Sequence, residues 1–318
     1  MDAGAYLIGI DLGASKIALG LINPHNQVTA RERVPTRPLD GPAAAVERIA
    51  GAVERLREHL PAGGRIVGAG VCSPGPLDHR TGMLFDPPNL TGWVNVPLRQ
   101  MLSDRLRLPV SLEHDAKAAG IGEFRFGAGR GARDMVYIVV GTGVGAAIIM
   151  DGQVRRGPHN SAGEVGHITI DPRGDPCSCG STGCVETFTS GPALARSYRR
   201  ALDRHGISPA ERPPEPIAGE TVTCAAAAGD PLALEVMEGA GEALGTAIAA
   251  LAMLMDIELY VLGSSVAKCG DVLLEPVRRA VPRHAHRSVA ARVRVVCSEL
   301  GDDGPILGCG WIVQHGSG

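Results

Sequence analysis

The chain has 318 residues, of which 44% are hydrophobic, and a formal net charge of −3 at pH 7. Its length allows two domains with sizeable cores, its charge provides no broad basic field for nucleic acid, and no apolar run free of breaks predicts a bilayer span. The first residues also lack the basic and apolar regions of an export signal, so we expect a cytoplasmic protein with no nucleic-acid or membrane partner.

The first 22 residues predict a β-hairpin. Residues 6–10 have the apolar composition of a buried strand, residues 11–15 (DLGAS) that of a turn, and residues 16–22 that of a returning strand. A turn of such small residues exposes backbone N–H groups, which can approach phosphate oxygens because no Cβ blocks them. The turn is therefore a candidate phosphate-binding loop.

An amphipathic helix and another buried strand follow the hairpin. Residues 42–60 carry apolar side chains at helical spacing, and the apolar residues 66–71 lead into a loop of proline and glycine at residues 72–76. Loops at the carboxyl ends of parallel strands often bind ligands. Gly75 is therefore a candidate binding-site residue.

Asp115 lies at a predicted strand-to-helix junction. Residues 108–112 predict a short strand and residues 116–126 a helix, which places Asp115 near the helix N-terminus. The helix dipole stabilises a carboxylate there, and a rigidly held carboxylate can accept the proton of a substrate hydroxyl in phosphoryl transfer. The alternative is an N-cap without catalytic function, because aspartate is among the commonest caps.

The order of the opening elements returns at residues 137–152. Strand, glycine turn, strand and turn again follow one another, and the turn contains Gly141, Thr142 and Gly143. Two such turns indicate related domains that hold a polyphosphate between them, whereas structural hairpin turns are the alternative. Neither turn has the Walker A or G-x-G-x-x-G form, so both of those nucleotide-binding folds lose support.

A four-ligand set of one histidine and three cysteines follows the second hairpin. Its members are His167, Cys177, Cys179 and Cys184. Three thiolates and one imidazole match a closed tetrahedral zinc site, which leaves no position for water and so predicts a structural metal; free thiols in a loop are the alternative. The scattered cysteines are predicted to fill the core, and they are Cys72, Cys224, Cys269, Cys297 and Cys309.

The last third of the chain predicts an exposed connection followed by helices and strands. In order, these are a proline-rich connection at 206–220, a helix at 230–255, and strands at 257–262 and 292–297. A final helix is predicted to begin within residues 302–305 and to end at residue 313. The turn with Gly263 and Ser264 suits the close approach of a flat ligand such as an adenine ring. A plain strand-to-helix turn is the alternative.

Together these motifs resemble the ROK family of sugar kinases and related repressors, within the actin/hexokinase-like superfamily. The resemblance covers nearly the whole chain and is carried by residues 11–16, residues 89–93 (NLTGW), Asp115, residues 141–143, residues 164–167 (EVGH) and the zinc loop. It implies an α/β fold of two ribonuclease-H-like lobes around a central cleft, with a zinc-binding loop. The small lobe would comprise residues 1–116, completed by a C-terminal helix at 302–318, and the large lobe residues 117–301 with the zinc loop at 167–184.

The resemblance also implies an ATP-dependent, magnesium-dependent kinase that phosphorylates the primary hydroxyl of a hexose or hexose-like substrate, with glucokinase the closest activity. Asp115 would be the general base, and a homodimer or homotetramer is expected. The expected substrate-binding residues are Gly75, Asn89, His114, Asp115, Glu164, His167 and Glu186. The expected ATP-binding residues are Asp11, Gly13, Ser15, Lys16, Gly141, Thr142, Gly143, Gly263 and Ser264. His167 would bind zinc through one ring nitrogen and the sugar through the other.

The sequence departs from the family pattern at several positions. His114 and Lys117 stand where asparagines are common in the glucokinases, and Ser264 replaces part of a usual glycine run. Imidazole and carboxamide differ in donor geometry, so we expect His114 to select the substrate, and an amino sugar or a sugar-like cyclitol is an alternative to glucose.

Other interpretations of the same residues remain. Structural alternatives are solvated loop acids for Glu164 and Glu186, a turn residue for Asn89 and a core aromatic for Trp93. A sugar-sensing repressor of the same family would carry a DNA-binding helix-turn-helix ahead of the first strand, which begins near Tyr6, and no basic recognition helix is visible. A non-catalytic zinc-containing interaction domain would need neither Asp115 nor two phosphate turns.

Overall fold

The structure is a computed structural model that describes residues 4–316. The strands of this part of the chain are β1 (Ala5–Leu12), β2 (Lys16–Ile22), β3 (Val28–Pro35), β4 (Arg65–Ser73), β5 (Leu77–Asp78), β6 (Met83–Leu84), β7 (Val110–His114), β8 (Met135–Val140), β9 (Val144–Met150), β10 (Gln153–Val154), β11 (Leu259–Gly263) and β12 (Arg294–Cys297). The helices are α1 (Gly41–Arg57), α2 (Leu98–Leu106), α3 (Asp115–Phe126), α4 (Glu186–Thr189), α5 (Gly191–Arg204), α6 (Gly219–Ala227), α7 (Pro231–Met255), α8 (Asp271–His284), α9 (Arg287–Ala290) and α10 (Asp303–His315).

The described residues form two compact units. Unit 1 comprises residues 4–131, 153–162 and 300–316, and unit 2 comprises residues 132–152 and 163–299. The chain therefore passes from unit 1 to unit 2 and back more than once. Residues distant in sequence are thereby brought into each unit.

Unit 1 is built on a sheet with the strand order β3-β2-β1-β4-β7. The first three strands are antiparallel neighbours, and β4 and β7 run parallel to β1. Ile8 and Ile10 of β1 pack in one apolar cluster with α1, where Ile49 and Val53 are buried at helical spacing. Leu7 faces a separate cluster that includes residues of α10. The sheet is thus covered by helices on both faces.

The sequence predicted that the first segment of unit 1 ends at residue 116, but in the structure this segment extends to residue 131. The reason is the packing of α3 against α10, which is close enough to exclude side chains. A Cβ on Gly308 would lie 1.8 Å from the carbonyl oxygen of Ala118, and one on Gly122 would lie 2.1 Å from that of Gly304. Because the two helices meet backbone to backbone, α3 belongs to the same unit as α10.

Unit 2 repeats the strand order of unit 1, with β9-β8-β11-β12 following one another in its sheet. β8 and β9 form an antiparallel hairpin, and β11 and β12 continue the sheet in parallel. Among the described helices, α7 alone is long and apolar enough to cross a membrane by length and composition, but 67% of its most apolar stretch is buried within the protein. α7 is therefore the core helix of unit 2, and it packs most extensively on α8.

The cysteines outside the predicted metal set differ in their surroundings. Cys72 and Cys309 are buried, and Cys269 and Cys297 are partly buried. Cys224 is exposed on α6, so its prediction as a core residue was wrong. The helical positions of α6 that face the core are taken instead by Val222 and Ala226. None of the cysteines of the described chain forms a disulfide.

Candidate active site

The predicted catalytic residue lies where three parallel strands of unit 1 end. Asp11 on β1 is paired in register with Cys72 on β4, and Cys72 is paired with Glu113 on β7. Asp115 begins α3 immediately after β7. The first phosphate-type turn, the loop with Gly75 and Asp115 therefore leave the same edge of the sheet, the carboxyl ends of its parallel strands, where ligands of open α/β sheets bind.

The carboxylate of Asp115 is held at one oxygen. Its Oδ1 accepts a hydrogen bond of 2.6 Å from the backbone N–H of Ala116 and lies 2.9 Å from Nδ1 of His114. The N-cap of α3 is His114, so Asp115 is the first helical residue and the capping alternative does not describe it. Burial raises the pKa of Asp115, but His114, the N–H of Ala116 and the charge of Lys117 outweigh burial and hold the pKa below its usual value. The Asp115 side chain is 41% exposed, so its ionised carboxylate is accessible to a substrate.

Asp11 is the second carboxyl group at this edge. Its Oδ1 accepts a hydrogen bond from the thiol of Cys72, with Sγ 3.6 Å away. Burial, followed by repulsion from Asp115, raises the pKa of Asp11 to about 6, while Cys72 and Lys16 act in the opposite direction. The turn behind it is closed by a hydrogen bond from the N–H of Gly13 to the carbonyl of Lys16. The two carboxylates thus repel each other in the unliganded chain.

We expect Asp11→Asn to stabilise the unliganded protein. The folded pKa of about 6 exceeds the usual 3.8, so folding takes up a proton between these values, and the contribution of Asp11 to stability falls as the pH rises from about 4 to 6. At pH 7.5 the ionised group then costs up to about 3 kcal/mol. Urea unfolding without ATP or divalent cations should show a gain for Asp11→Asn that is larger at pH 7.5 than at pH 4.5.

The matched control for this prediction is Asp104→Asn. Asp104 is exposed on α2, where it accepts a hydrogen bond from Gln100. A change at this position should give no stabilisation that grows with pH. If Asp11→Asn were no more stable than the unmodified protein at pH 7.5, neither the burial of an ionised Asp11 nor its repulsion from Asp115 would destabilise the folded state.

Two buried charged groups near Asp115 were not predicted as a set. Nε and Nη2 of Arg156 donate to Oε2 of Glu113 at 2.9 and 2.7 Å, and the Glu113 side chain is 0% exposed. The ammonium group of Lys117 donates to the carbonyl of Asn160 at 2.8 Å. These contacts fix residues 156–160 onto unit 1 beside β7 and α3. No local sequence signal finds them, because each pair is separated by 43 residues.

In unit 2, the two predicted nucleotide turns lie next to each other. A Cβ on Gly141 would lie 2.7 Å from Oγ of Ser264, so the turn with Thr142 and Gly143 meets the turn that follows Gly263. Ser264 has a φ of 77°, a left-handed conformation that favours glycine. Ser264 therefore adopts a backbone conformation that glycine adopts more readily.

Glu186 lies at the same glycine turn. It is the first residue of α4, and its Oε2 accepts a hydrogen bond of 2.8 Å from the N–H of Val144. Glu164 is exposed and immediately precedes a short 3₁₀ helix, Val165–His167. In unit 1, Asn89 is exposed, whereas Trp93 is fully buried and its Nε1 donates to the carbonyl of Pro38 at 3.1 Å. Trp93 is thus the core aromatic of the structural alternative.

The predicted metal ligands form one cluster in unit 2. Among the described residues, one ligand atom from each of His167, Cys177, Cys179 and Cys184 lies within 4.8 Å of all the others. Nδ1 of His167 is 3.6 Å from Sγ of Cys177, and the Sγ atoms of Cys179 and Cys184 are 3.7 Å apart. Tetrahedral zinc with Zn–S distances of about 2.3 Å would separate two sulfur ligands by about 3.8 Å. The cluster therefore has the dimensions of a zinc site.

Comparisons with known proteins show the family of the chain. A family model described as the ROK family matches residues 7–315. The chain belongs to the ROK family. It is 34% identical over 324 residues to a glucokinase of Halalkalibacterium halodurans, covering 98% of this chain and 95% of the relative. It is 32% identical over 308 residues to a putative xylose repressor of a Caldicellulosiruptor species, covering 95% of this chain and 76% of the relative.

A solved ROK structure is similar over the same extent. A ROK family glucokinase from Streptomyces griseus, in complex with glucose and AMPPNP, superimposes on this chain with a TM-score of 0.83 at 30% sequence identity. The superposition covers 98% of this chain and 100% of the glucokinase chain. The predicted membership of the family is thereby confirmed, as is the two-lobe α/β fold of the actin/hexokinase type. The family includes both kinases and repressors, so the chemistry of this chain rests on its own residues.

Proposed function

We propose that this ROK protein is an ATP-dependent kinase that phosphorylates the primary hydroxyl of a hexose or hexose-like substrate. The observation that carries the proposal is Asp115: an accessible carboxylate with a lowered pKa, fixed through one oxygen at the carboxyl ends of the parallel strands of unit 1. A repressor or an adaptor has no need of such a group. Glucokinases of 34% identity over nearly the whole chain support the same function.

In the proposed reaction, the oxygen of the attacking sugar hydroxyl bonds to the γ-phosphorus of ATP, and Asp115 accepts the proton of that hydroxyl. The bond between that phosphorus and the bridging oxygen breaks, and ADP leaves. Because Oδ1 is already engaged by Ala116 and His114, Oδ2 is the oxygen that we assign to the proton. The pKa of Asp115 lies below its usual value, so the group is ready as a base at neutral pH.

We assign ATP to the two glycine-containing turns. In unit 1 the binding residues would be Asp11, Gly13, Ser15 and Lys16, and in unit 2 they would be Gly141, Thr142, Gly143, Gly263 and Ser264. Backbone N–H groups of such turns can bind phosphate oxygens, and in unit 2 the turn with Gly141 lies against Ser264 of the other turn. Magnesium bound with ATP would neutralise charge that develops on the phosphates.

The sugar is assigned to Asn89 and Asp115 in unit 1 and to Glu164, His167 and Glu186 in unit 2, whereas Gly75 and His114, which the sequence also predicted to bind it, lie beside each other next to Asp115. Carboxylate, amide and imidazole groups supply the acceptors and donors that a ring of hydroxyls requires. An amino sugar or a cyclitol is the alternative substrate, and N-acetylmannosamine kinase of Escherichia coli, 29% identical over 308 residues, is a relative with such a substrate in its name.

We propose further that one structural zinc ion is held by His167, Cys177, Cys179 and Cys184. The spacing of the ligand atoms and their donor types support this assignment. Because Nδ1 of His167 faces Cys177, that nitrogen would bind the metal and Nε2 would be left for a sugar hydroxyl. A cytoplasmic location and a homodimer or homotetramer are also part of the proposal.

The test is ADP formation with ATP, magnesium and a panel of glucose, mannose, N-acetylglucosamine, N-acetylmannosamine and myo-inositol. We expect one of the four sugars to yield ADP and a sugar phosphate in equal amounts, with the phosphate on the primary hydroxyl by ³¹P NMR. Faster phosphorylation of myo-inositol, which has no primary hydroxyl, would contradict the proposed acceptor. Sugar binding by calorimetry without any ADP formation would indicate a regulator instead.

A further inference from the structure

The imidazole of His114 is held along two edges. On one edge, Nδ1 lies 2.9 Å from Oδ1 of Asp115. On the other edge, the ring abuts Gly75 so closely that a Cβ there would lie 3.0 Å from Cδ2 and 3.1 Å from Nε2. The side chain is only 20% exposed. The orientation of the ring is therefore set by the loop after β4 and by the carboxylate itself.

The backbone at this position is fixed as well. The N–H of His114 donates to Oε1 of Glu113 at 2.9 Å, while Oε2 of the same carboxylate accepts both N–H groups of Arg156. Glu113 is fully buried, and Arg156 compensates its charge. Main chain and side chain of His114 are thus both held next to Asp115.

We propose that His114 is a positioning residue for Asp115, acting through Nδ1, and that Gly75 keeps the ring in register. The inference rests on the proposed kinase function. An N–H at Nδ1, together with the N–H of Ala116, holds Oδ1, so that Oδ2 points its lone pairs at the substrate hydroxyl. This role differs from the sugar selection expected from the sequence, because the nitrogen that faces Asp115 is not available to a sugar.

Three substitutions at one position separate the two roles. Asparagine places its amide nitrogen near the position of Nδ1, glutamine places it near that of Nε2, and alanine supplies neither donor. We expect His114→Ala to lower kcat about 10- to 100-fold, because misplacing a reacting group by about 1 Å costs on this order. The KM for the best sugar of the panel should change less than about threefold. His114→Asn should restore kcat to within about threefold, and His114→Gln should not.

Gly75→Ala provides an independent test of the ring's orientation. Its Cβ would displace the imidazole, so kcat should fall in the unmodified background. In the His114→Ala background the same change should have little further effect, because the two residues act as one unit. Equal losses in both backgrounds would mean that Gly75 acts on the substrate and not through His114.

The controls distinguish this inference from the proposed function. His79→Ala removes another partly buried histidine of unit 1, near Glu113 and Arg156, and should leave kcat within about twofold. Thermal unfolding of each variant checks that it is folded. If the unmodified protein phosphorylates no sugar, the proposed function fails. If it is active but His114→Ala raises only the KM for sugar, or if glutamine rescues kcat better than asparagine, the positioning role is overturned.

Discussion

Asp115→Asn should lower kcat by about two to four orders of magnitude, the usual effect of removing a general base. The amide has the size of the carboxylate and can still accept at Oδ1 from the N–H of Ala116, but it cannot take the proton of the attacking hydroxyl. The dissociation constants of ATP and of the best sugar should change far less than kcat. Steady-state kinetics of ADP formation, with calorimetry for the two ligands, gives both quantities.

Asp104→Asn is the matched control for this change as well. It makes the same substitution on exposed α2, away from the carboxyl ends of the sheet, and should leave kcat unchanged. A kcat for Asp115→Asn within about threefold of the unmodified protein would show that another group takes the proton. A loss of ATP binding in parallel with kcat would mean that Asp115 acts through the fold and not as a base.

Local patterns in the sequence predicted the elements that carry the site. Strand β2 has the predicted bounds, 16–22, and α3 begins one residue before the predicted helix at 116. Each of these elements has a complete local signal, either an apolar run bounded by turn residues or helix formers after a strand. The cluster of His167 and three cysteines was also predicted from a local pattern, because the three cysteines lie within eight residues.

Elements whose signals are broken or whose partners are distant escaped prediction. α8 contains Pro276 and Pro282, which normally argue against a helix interior, yet buried residues such as Leu273 and Val277 keep it packed on α7. Strand β3 alternates exposed and half-buried residues without an apolar run. The backbone contact of α3 with α10 depends on glycines more than 180 residues apart, which no local pattern shows.

The surroundings of Asp115 show the same limit. That His114 precedes it is evident from the sequence, but the direction of the imidazole depends on Gly75, 39 residues earlier. The charge of Glu113 is balanced by Arg156, which the chain supplies only when it returns to unit 1. The sequence therefore predicted Asp115 as the candidate base, whereas the contacts that hold its neighbours His114 and Glu113 required the structure.

The proposed zinc ion gives the last prediction. Purified protein should contain one zinc per chain, and Cys179→Ser should lose the metal, because a neutral hydroxyl replaces a thiolate ligand. Because the zinc ion would no longer orient the ring of His167, the KM for the best sugar should rise about 10- to 100-fold. Elemental analysis and kcat/KM, measured on the same preparations, test both statements.

Cys224→Ser is the matched control, because Cys224 is also an exposed cysteine of unit 2 but lies outside the cluster. It should keep its zinc and its sugar affinity. A fully active kinase without bound zinc would rule out the metal. If Cys179→Ser loses zinc but keeps its KM for the sugar, the metal of the unmodified protein stabilises the loop only. Its proposed role in presenting His167 would then be wrong. If His167 binds both zinc and sugar, loss of zinc must also weaken sugar binding. The zinc ion at Nδ1 would fix the orientation of the ring, and Nε2 could not be presented to the sugar without it.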